Sequence, residues 1–422
     1  MPDATSRSPV HVVYGGAHLF KSDTPQKLGK IALRSLKAYA PDVDEFSAAM
    51  GLDENKKLLN TIYKKTLQKL EQEPVEDFRI DFEDGFGFRP DEEEDAHAVR
   101  ASGELAKAFL ANRCSPFSGF RIKSLAAETH GRAVRTLNLF LENFLNKTKA
   151  RTPKNFVVTL PKISDPKEVA ELCRRLTRIE SDHHLGPNSI GIELMIETPR
   201  ALIDEKGRVG LAYLVEAAAG RCTSAHFGAY DLTSAVGISA AHQHLRHDAC
   251  NFARQLMLIV LAPLRIRLVD SVTTRMPVPI HKDAALTEEQ KNENRFYVHA
   301  GWREHFDNVT SSMANGFYQS WDLHPNQLVA RYAAVYSFFL RSRDIDAERL
   351  RGFVEKATQA NLTGNTFDDA ASANGLMNFF RLGLDCGAFT AAEIKKATSL
   401  SAPEIRSSEF GVRSSEFRNP QR

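Results

Sequence analysis

At 422 residues, with 42% hydrophobic and 26% charged side chains and a formal net charge of +2, the chain has the make-up of an ordinary globular protein. So small a net charge on so long a chain gives no electrostatic case for nucleic acid or membrane binding, and the longest apolar run, residues 256–264, is far short of the roughly 20 residues a bilayer span needs. The five cysteines are scattered, with no CxxC pair, and read as reduced thiols and not as a disulfide or zinc framework; with no apolar signal region in MPDATSRSPV, a cytoplasmic protein is expected.

Residues 10–14 (VHVVY) predict a first strand, followed by GGAHLF, where paired glycines permit a tight turn. Apolar residues at helical spacing predict helices over 26–39 and 54–71. Residues 78–82 (FRIDF) predict the second strand, which runs into Glu83-Asp84-Gly85. The acidic run 91–95 reads as the solvated start of a helix that continues over 96–110. Strand three is expected over 119–123, a helix over 132–144, strand four over 155–160 before Pro161-Lys162, and a helix over 166–180 capped by Asp165. Strand five (190–196), a helix (201–219) and strand six (223–227) form the next unit. A helix over 247–261 leads to strand seven (266–272), and residues 275–299 read as an extended loop able to serve as a lid. A helix over 302–315 and strand eight (316–321) complete the alternation before His324-Pro325.

Eight strands alternating with helices predict a (β/α)8 TIM barrel over residues 10–340. An open doubly wound sheet fits less well, because no GxGxxG follows the first strand. Helical patterns at 331–340, 347–360, 370–384 and 391–398 predict a C-terminal helical extension over 341–400. Residues 401–422, with RSSEF repeated at 406–410 and 413–417, read as a disordered tail.

In a parallel barrel the chemistry sits at the C-terminal ends of the strands. Asp81, Glu83, Asp84, Arg121, Lys162, Glu197, Asp231, Asp270 and His324 all fall at or near such ends. Glu197 in IETP and Asp231 in GAYDL leave consecutive strands, as two ligands of a hard divalent cation would. Either acid alone would equally suit the start of a helix; the pair, with basic side chains beside it, points to a metal site that takes an oxo-acid anion.

The motifs DFEDG, FRIK, LPKI, MIET, FGAYDLTSAVG and GFYQSWDLHPNQ, in that order, resemble those of the HpcH/HpaI aldolase and citrate lyase β-subunit-like family, which includes malyl-CoA lyases and, more distantly, metal-dependent class II pyruvate aldolases. The resemblance covers most of the barrel. It implies Glu197 and Asp231 as ligands of Mg2+ (or Mn2+), Arg121 as the group on the substrate carbonyl oxygen, and Glu83 and Asp84 as acids that hold water on the metal. It further implies Lys162 beside the pocket and Gly228 with its backbone close to the substrate. The family's arginine–serine pair in strand one is replaced here by VVYGGAHLF.

The expected function is carbon–carbon cleavage or formation of a hydroxy acid or hydroxyacyl thioester through a metal-stabilised enolate, with a coenzyme A thioester among the candidate substrates. The proton acceptor is left open between water held by Glu83 and Asp84, His18 and His324. Other enolate chemistry of phosphoenolpyruvate or pyruvate on the same barrel, and a non-catalytic binding homologue, are the rival readings. The resemblance also implies a homo-oligomer, a trimer or hexamer.

Overall fold

The computed structural model describes residues 7–283, 285–358 and 370–407. Strands β1 (His11–Gly16), β2 (Asp77–Asp81), β3 (Phe117–Arg121), β4 (Phe156–Leu160), β5 (Gly191–Ile196), β6 (Cys222–Phe227), β7 (Arg267–Val272) and β8 (Gln319–Asp322) pair in sequence order, all parallel. Pairing of β8 with β1 closes the barrel. Helices α1 (Thr24–Tyr39), α2 (Val43–Met50) and α3 (Lys56–Gln72) follow β1; α4 (Asp91–Leu110), α5 (His130–Thr148) and α6 (Pro166–Asp182) follow β2, β3 and β4. After β5 come α7 (Pro199–Leu202) and α8 (Leu211–Ala217), and after β6 come α9 (Ala229–Ala235) and α10 (Asp248–Leu261). Helix α11 (Glu288–Ala314) joins β7 to β8, and α12 (Gln327–Thr358), α13 (Ala370–Asp385), α14 (Ala391–Thr398) and α15 (Ala402–Arg406) end the described chain. No helix among the described residues is long and apolar enough to cross a membrane.

The two-residue period of the strands divides the core. Outward residues such as Phe78, Ile80, Phe120, Val158, Leu160, Ile192 and Leu194 join the apolar faces of the helices in one large cluster. Val12, Tyr14, Met195 and Val269, with Trp321 against them, form a small separate cluster inside the barrel. Beneath it lies a layer of charge in place of the branched aliphatics such barrels favour. Glu193 accepts hydrogen bonds from Arg79 (3.0 and 2.7 Å), Thr159 (2.7 Å), Ser224 (2.7 Å) and Tyr14 (3.1 Å) and pairs with His226 Nε2 at 2.6 Å. Arg79 also pairs with Asp77. Each of these charges is buried and partnered, as burial requires.

Several expected boundaries move, for local reasons. The helix expected over 201–219 is broken: Asp204 takes the backbone N–H groups of Lys206 and Arg208 (2.9 Å each), Gly207 adopts φ +74°, and Ile203 bridges back to Val209. The extended loop expected over 275–299 stops at residue 287, where a Thr287–Gln290 capping box starts α11. That shorter loop is pinned, because Asn294 Oδ1 accepts from the backbone of Ile280 and His281 and Asn326 donates to Pro277 O. Helix α2, absent from the expectations, is set by Asp42 at its N-cap and Gly51 (φ +59°) at its end.

The expected border at residue 340 falls within α12, a single helix of 32 residues. It starts near the mouth, where Arg331 grips Asp322 (2.9 and 2.7 Å), and at about 1.5 Å per residue it runs past the barrel's N-terminal end. There α13 to α15 gather beside the foot: Asp385 takes the backbone N–H of Ser8 at 3.0 Å, and the rings of Phe339, Phe379 and Phe389 pack together in tilted and edge-on contacts. The first residues of the expected tail form α15; residues 408–422, with the second RSSEF, lie outside the described residues.

Candidate active site

The mouth is organised by Asp81, the last residue of β2. Its Oδ1 accepts from the backbone N–H of Glu83 (3.0 Å) and its Oδ2 from that of Gly85 (2.7 Å), so one carboxylate folds the turn that carries Glu83 and Asp84. The same carboxylate holds Arg121 of β3 in a fork, Nε to Oδ1 at 2.7 Å and Nη2 to Oδ2 at 2.5 Å. Arg121 Nη1 reaches Glu83 at 2.9 Å and Asp84 at 3.2 Å. Its guanidinium lies 5.0 Å over the Tyr14 ring and 5.6 Å over that of Trp321, whose rings pack 4.2 Å apart. Burial opposes the charge on Arg121, but Asp81, Glu83 and Asp84 outweigh it and hold the guanidinium protonated.

Lys162, just past β4, adopts φ +51°, a strained conformation for a residue with a side chain. The turn aims its backbone N–H at Glu197 Oε1 (2.6 Å) and its ammonium at Glu83 (2.8 Å), Asp231 (3.3 Å) and Asp84 (3.5 Å). Glu197 leaves β5 3% exposed. Gly228, at the end of β6, lies against it so closely that a Cβ there would stand 2.6 Å from Glu197 Oε2; only glycine fits. Asp231 projects from the first turn of α9. Burial, together with Asp231 and Glu83, pushes the Glu197 carboxyl up to about 8 against the pull of Lys162 and Arg121. Burial also raises Glu83, whereas Asp84, despite its burial, is drawn down by Arg121.

All seven residues expected at the site, Glu83, Asp84, Arg121, Lys162, Glu197, Gly228 and Asp231, therefore stand around one mouth. With Asp81, five carboxylates meet two cations there, an excess of negative charge suited to a divalent cation on oxygen ligands. Among the described residues no three His, Cys, Asp or Glu side chains make a complete metal cage. Mg2+ usually takes one or two carboxylates and keeps water or substrate in its other positions, a number that Glu197 and Asp231 could supply.

Asp270 does not join them. It pairs with Arg254 of α10 at 2.8 Å and accepts from Ser312 of α11, which places it between β7 and the helices. His324 accepts from the backbone of Asn326 at 3.1 Å and shapes a turn. His18 packs against the rings of Phe86 and His97, 5.8 and 6.3 Å away. Tyr14, Trp321 and Asp81's grip on Arg121 were not assigned from the sequence. The signal was available in the inward alternation Arg79–Asp81, Glu193–Met195–Glu197 and Ser224–His226–Gly228.

No curated protein matches the chain. Solved structures do. A citrate lyase from Burkholderia xenovorans LB400 superposes with a TM-score of 0.58 at 17% identity, covering 92% of this chain and 96% of that one. Malate synthase of Haloferax volcanii gives 0.46 at 13% identity, covering 94% and 97%. A citrate lyase β subunit from M. tuberculosis gives 0.40 at 15%, covering 79% and 98%. The first likeness is one of fold, a barrel of the kind the motifs resemble. Residues 2–412 match the family described as "Domain of unknown function (DUF6986)", and the chain belongs to that family.

Proposed function

We propose that this barrel is a divalent-metal-dependent carbon–carbon lyase of the aldolase type, acting on a hydroxy acid or its acyl thioester. The observation that carries the reading is the gathering of Glu83, Asp84, Glu197 and Asp231 around Lys162, with the Arg121 guanidinium alongside. Glu197 and Asp231 would hold Mg2+ or Mn2+, which supplies Lewis-acid polarisation of a substrate oxygen and a template for its carboxylate.

The rest falls to the chain's own groups. Arg121 is buried, locked to Asp81 and backed by two aromatic rings, so it offers a permanent charge in one orientation. Donors fixed in this way stabilise negative charge as it grows on a substrate oxygen during cleavage. Glu83 and Asp84 share a turn, and the backbone N–H of Asp84 donates to Glu83 Oε2 at 3.1 Å. Both carboxylates stand within reach of Arg121 and Lys162, so the pair is placed to exchange a proton with water or substrate at the mouth. Gly228 keeps the floor open beside Glu197.

Calorimetric titration of Mg2+ with oxaloacetate present tests this. The full chain is expected to bind oxaloacetate only with the metal, and Glu197→Gln to weaken that binding more than about 100-fold. Unchanged metal-dependent binding in the variant would sink the proposed site.

A further inference from the structure

The foot of the barrel, opposite the mouth, holds a half-open cavity of about 830 Å3. Its walls are the N-terminal ends of β7 and β8, the segment before β1, α10, and helix α13 with the end of α15. Arg7, Arg265, Arg267, Arg381 and Arg406 line it, and no Asp or Glu does so among the described residues.

The guanidinium groups are unevenly compensated. Arg7 shares Glu73 and Glu76 with Lys69, and Asp385 is approached by both Arg381 (3.5 Å) and Arg406 (2.8 Å). Arg267 is different. It donates a hydrogen bond to the Ser224 hydroxyl at 3.4 Å and feels Asp77 and Glu193 at longer range, its Nε has no hydrogen-bond partner among the described residues, and its guanidinium lies 4.9 Å over Phe117. Arg265 is exposed beside it at φ +58° and makes no ion pair among the described residues. Burial pulls both Arg267 and Arg381 below the ordinary arginine value, against the opposing pull of Asp77 and Glu193 on the first and of Asp385 on the second. Part of the remaining wall is apolar, with Leu258, Met377, Leu382 and the Tyr318 ring, and part is polar, with Gln319, Asn374 and Asn378 among its residues.

We infer that this cavity is a binding site for a small organic polyanion, of the chemical class of a nucleoside diphosphate, separate from the mouth. Forked guanidinium donors match phosphate oxygens in geometry and charge. The volume lies within the usual range for small-molecule sites and far exceeds that of a lone phosphate. Tyr318 and the aliphatic side chains provide the face a base would lie on. Because one wall belongs to the C-terminal helices, the ligand would also fasten that extension to the barrel.

The test uses the full chain with ADP, inorganic pyrophosphate and adenosine as probes, followed by calorimetry and thermal melts. ADP is expected to bind, to raise the melting temperature, and to weaken as salt is added. Adenosine is expected not to bind, and pyrophosphate to bind more weakly than ADP. Arg265→Gly removes a charge at a backbone conformation glycine prefers, and Arg381→Gln keeps a polar side chain. Together they are expected to weaken ADP about tenfold or more without lowering the ligand-free melting temperature by more than a few degrees. Glu197→Gln should leave ADP binding intact, which separates this site from the proposed lyase chemistry. No binding of either anion, equal binding in the double variant, or loss of ADP binding in Glu197→Gln would each overturn the inference. Pyrophosphate binding as tight as ADP would overturn its nucleoside part.

Discussion

The two ends of this barrel carry opposite charge. At the mouth Asp81, Glu83, Asp84, Glu197 and Asp231 face Arg121 and Lys162; at the foot five arginines line a cavity with no acid in its wall among the described residues. A formal charge of +2 over the whole chain conceals this division. Net charge is a statement about long-range fields, whereas recognition of a ligand depends on charge within a few ångströms. The mouth gathers carboxylates and the foot guanidinium groups, and the interior layer around Arg79 and Glu193 lies between them. The same separation makes the two ends testable apart.

The largest expected effect is at the foot and concerns stability. The Glu76 carboxyl is fully buried, which would raise it, yet Lys69, Arg7 and His11 hold it at about 2 against an ordinary 4.5. A folded value below the unfolded one gives stability that is complete above pH 4.5 and is lost as pH falls towards 2. Glu76→Gln leaves Lys69 and Arg7 short of an acid and is expected to cost about 3–5 kcal/mol at neutral pH. The deficit should shrink as the solution is acidified through that window. Urea titrations at several pH values measure both; a deficit independent of pH would show that this carboxylate is not what balances the foot.

Next comes the mouth. Arg121→Lys keeps a positive charge but loses the fork to Asp81 and the flat contact with Tyr14 and Trp321. Once a cleaved substrate is in hand, turnover is expected to fall about 10²–10³-fold. ADP binding at the foot should be unaffected. Smaller again is a proton effect. With the Glu197 carboxyl at about 8, most molecules carry a proton there at neutral pH, and a divalent cation must displace it. Mg2+ affinity is therefore expected to rise with pH up to about 8 and level off above it, with proton release on binding below that point. Calorimetry in buffers of different ionisation enthalpy measures the release. No release, and an affinity flat across that value, would break the contrast by showing that the mouth carries no surplus acid.

Much of this was legible in the sequence because strands, helices and strand-end acids each leave a local mark. IETP and GAYDL sit at strand exits whatever the rest of the chain does. Elements whose marks are weak were misread: the polar start of α11 looked like loop because its buried residues begin only at Asn294 and Val298, although the Thr287–Gln290 box announced it. The break after α7 was hidden because apolar spacing continues across it, and only Asp204 and Gly207 betray the turn. The foot was not legible at all. Arg7, Arg265, Arg267, Arg381 and Arg406 lie as many as 399 positions apart in the chain, and only the return of α13 and α15 to the base of the barrel brings them together.

The finest test of the contrast is Lys162, whose ammonium pairs with Glu83, Asp84 and Asp231 at the mouth. Asparagine tolerates the left-handed backbone that Lys162 adopts, so Lys162→Asn keeps the N–H aimed at Glu197 while removing the charge. If the ammonium partly fills the place of a divalent cation, its loss is expected to tighten Mg2+ binding about three- to tenfold, measured at a pH high enough to ionise Glu197 in the variant too, where its carboxyl moves up from about 8 once the pull of Lys162 is gone. Removing a cation at the foot, as in Arg265→Gly, should leave Mg2+ affinity unchanged, because nothing between the two ends carries the effect beyond a Debye length. Weaker Mg2+ binding in Lys162→Asn would mean that the ammonium supports the ion's ligands and does not compete for them. The acids of the mouth would then be arranged for the lysine, with the metal secondary to it.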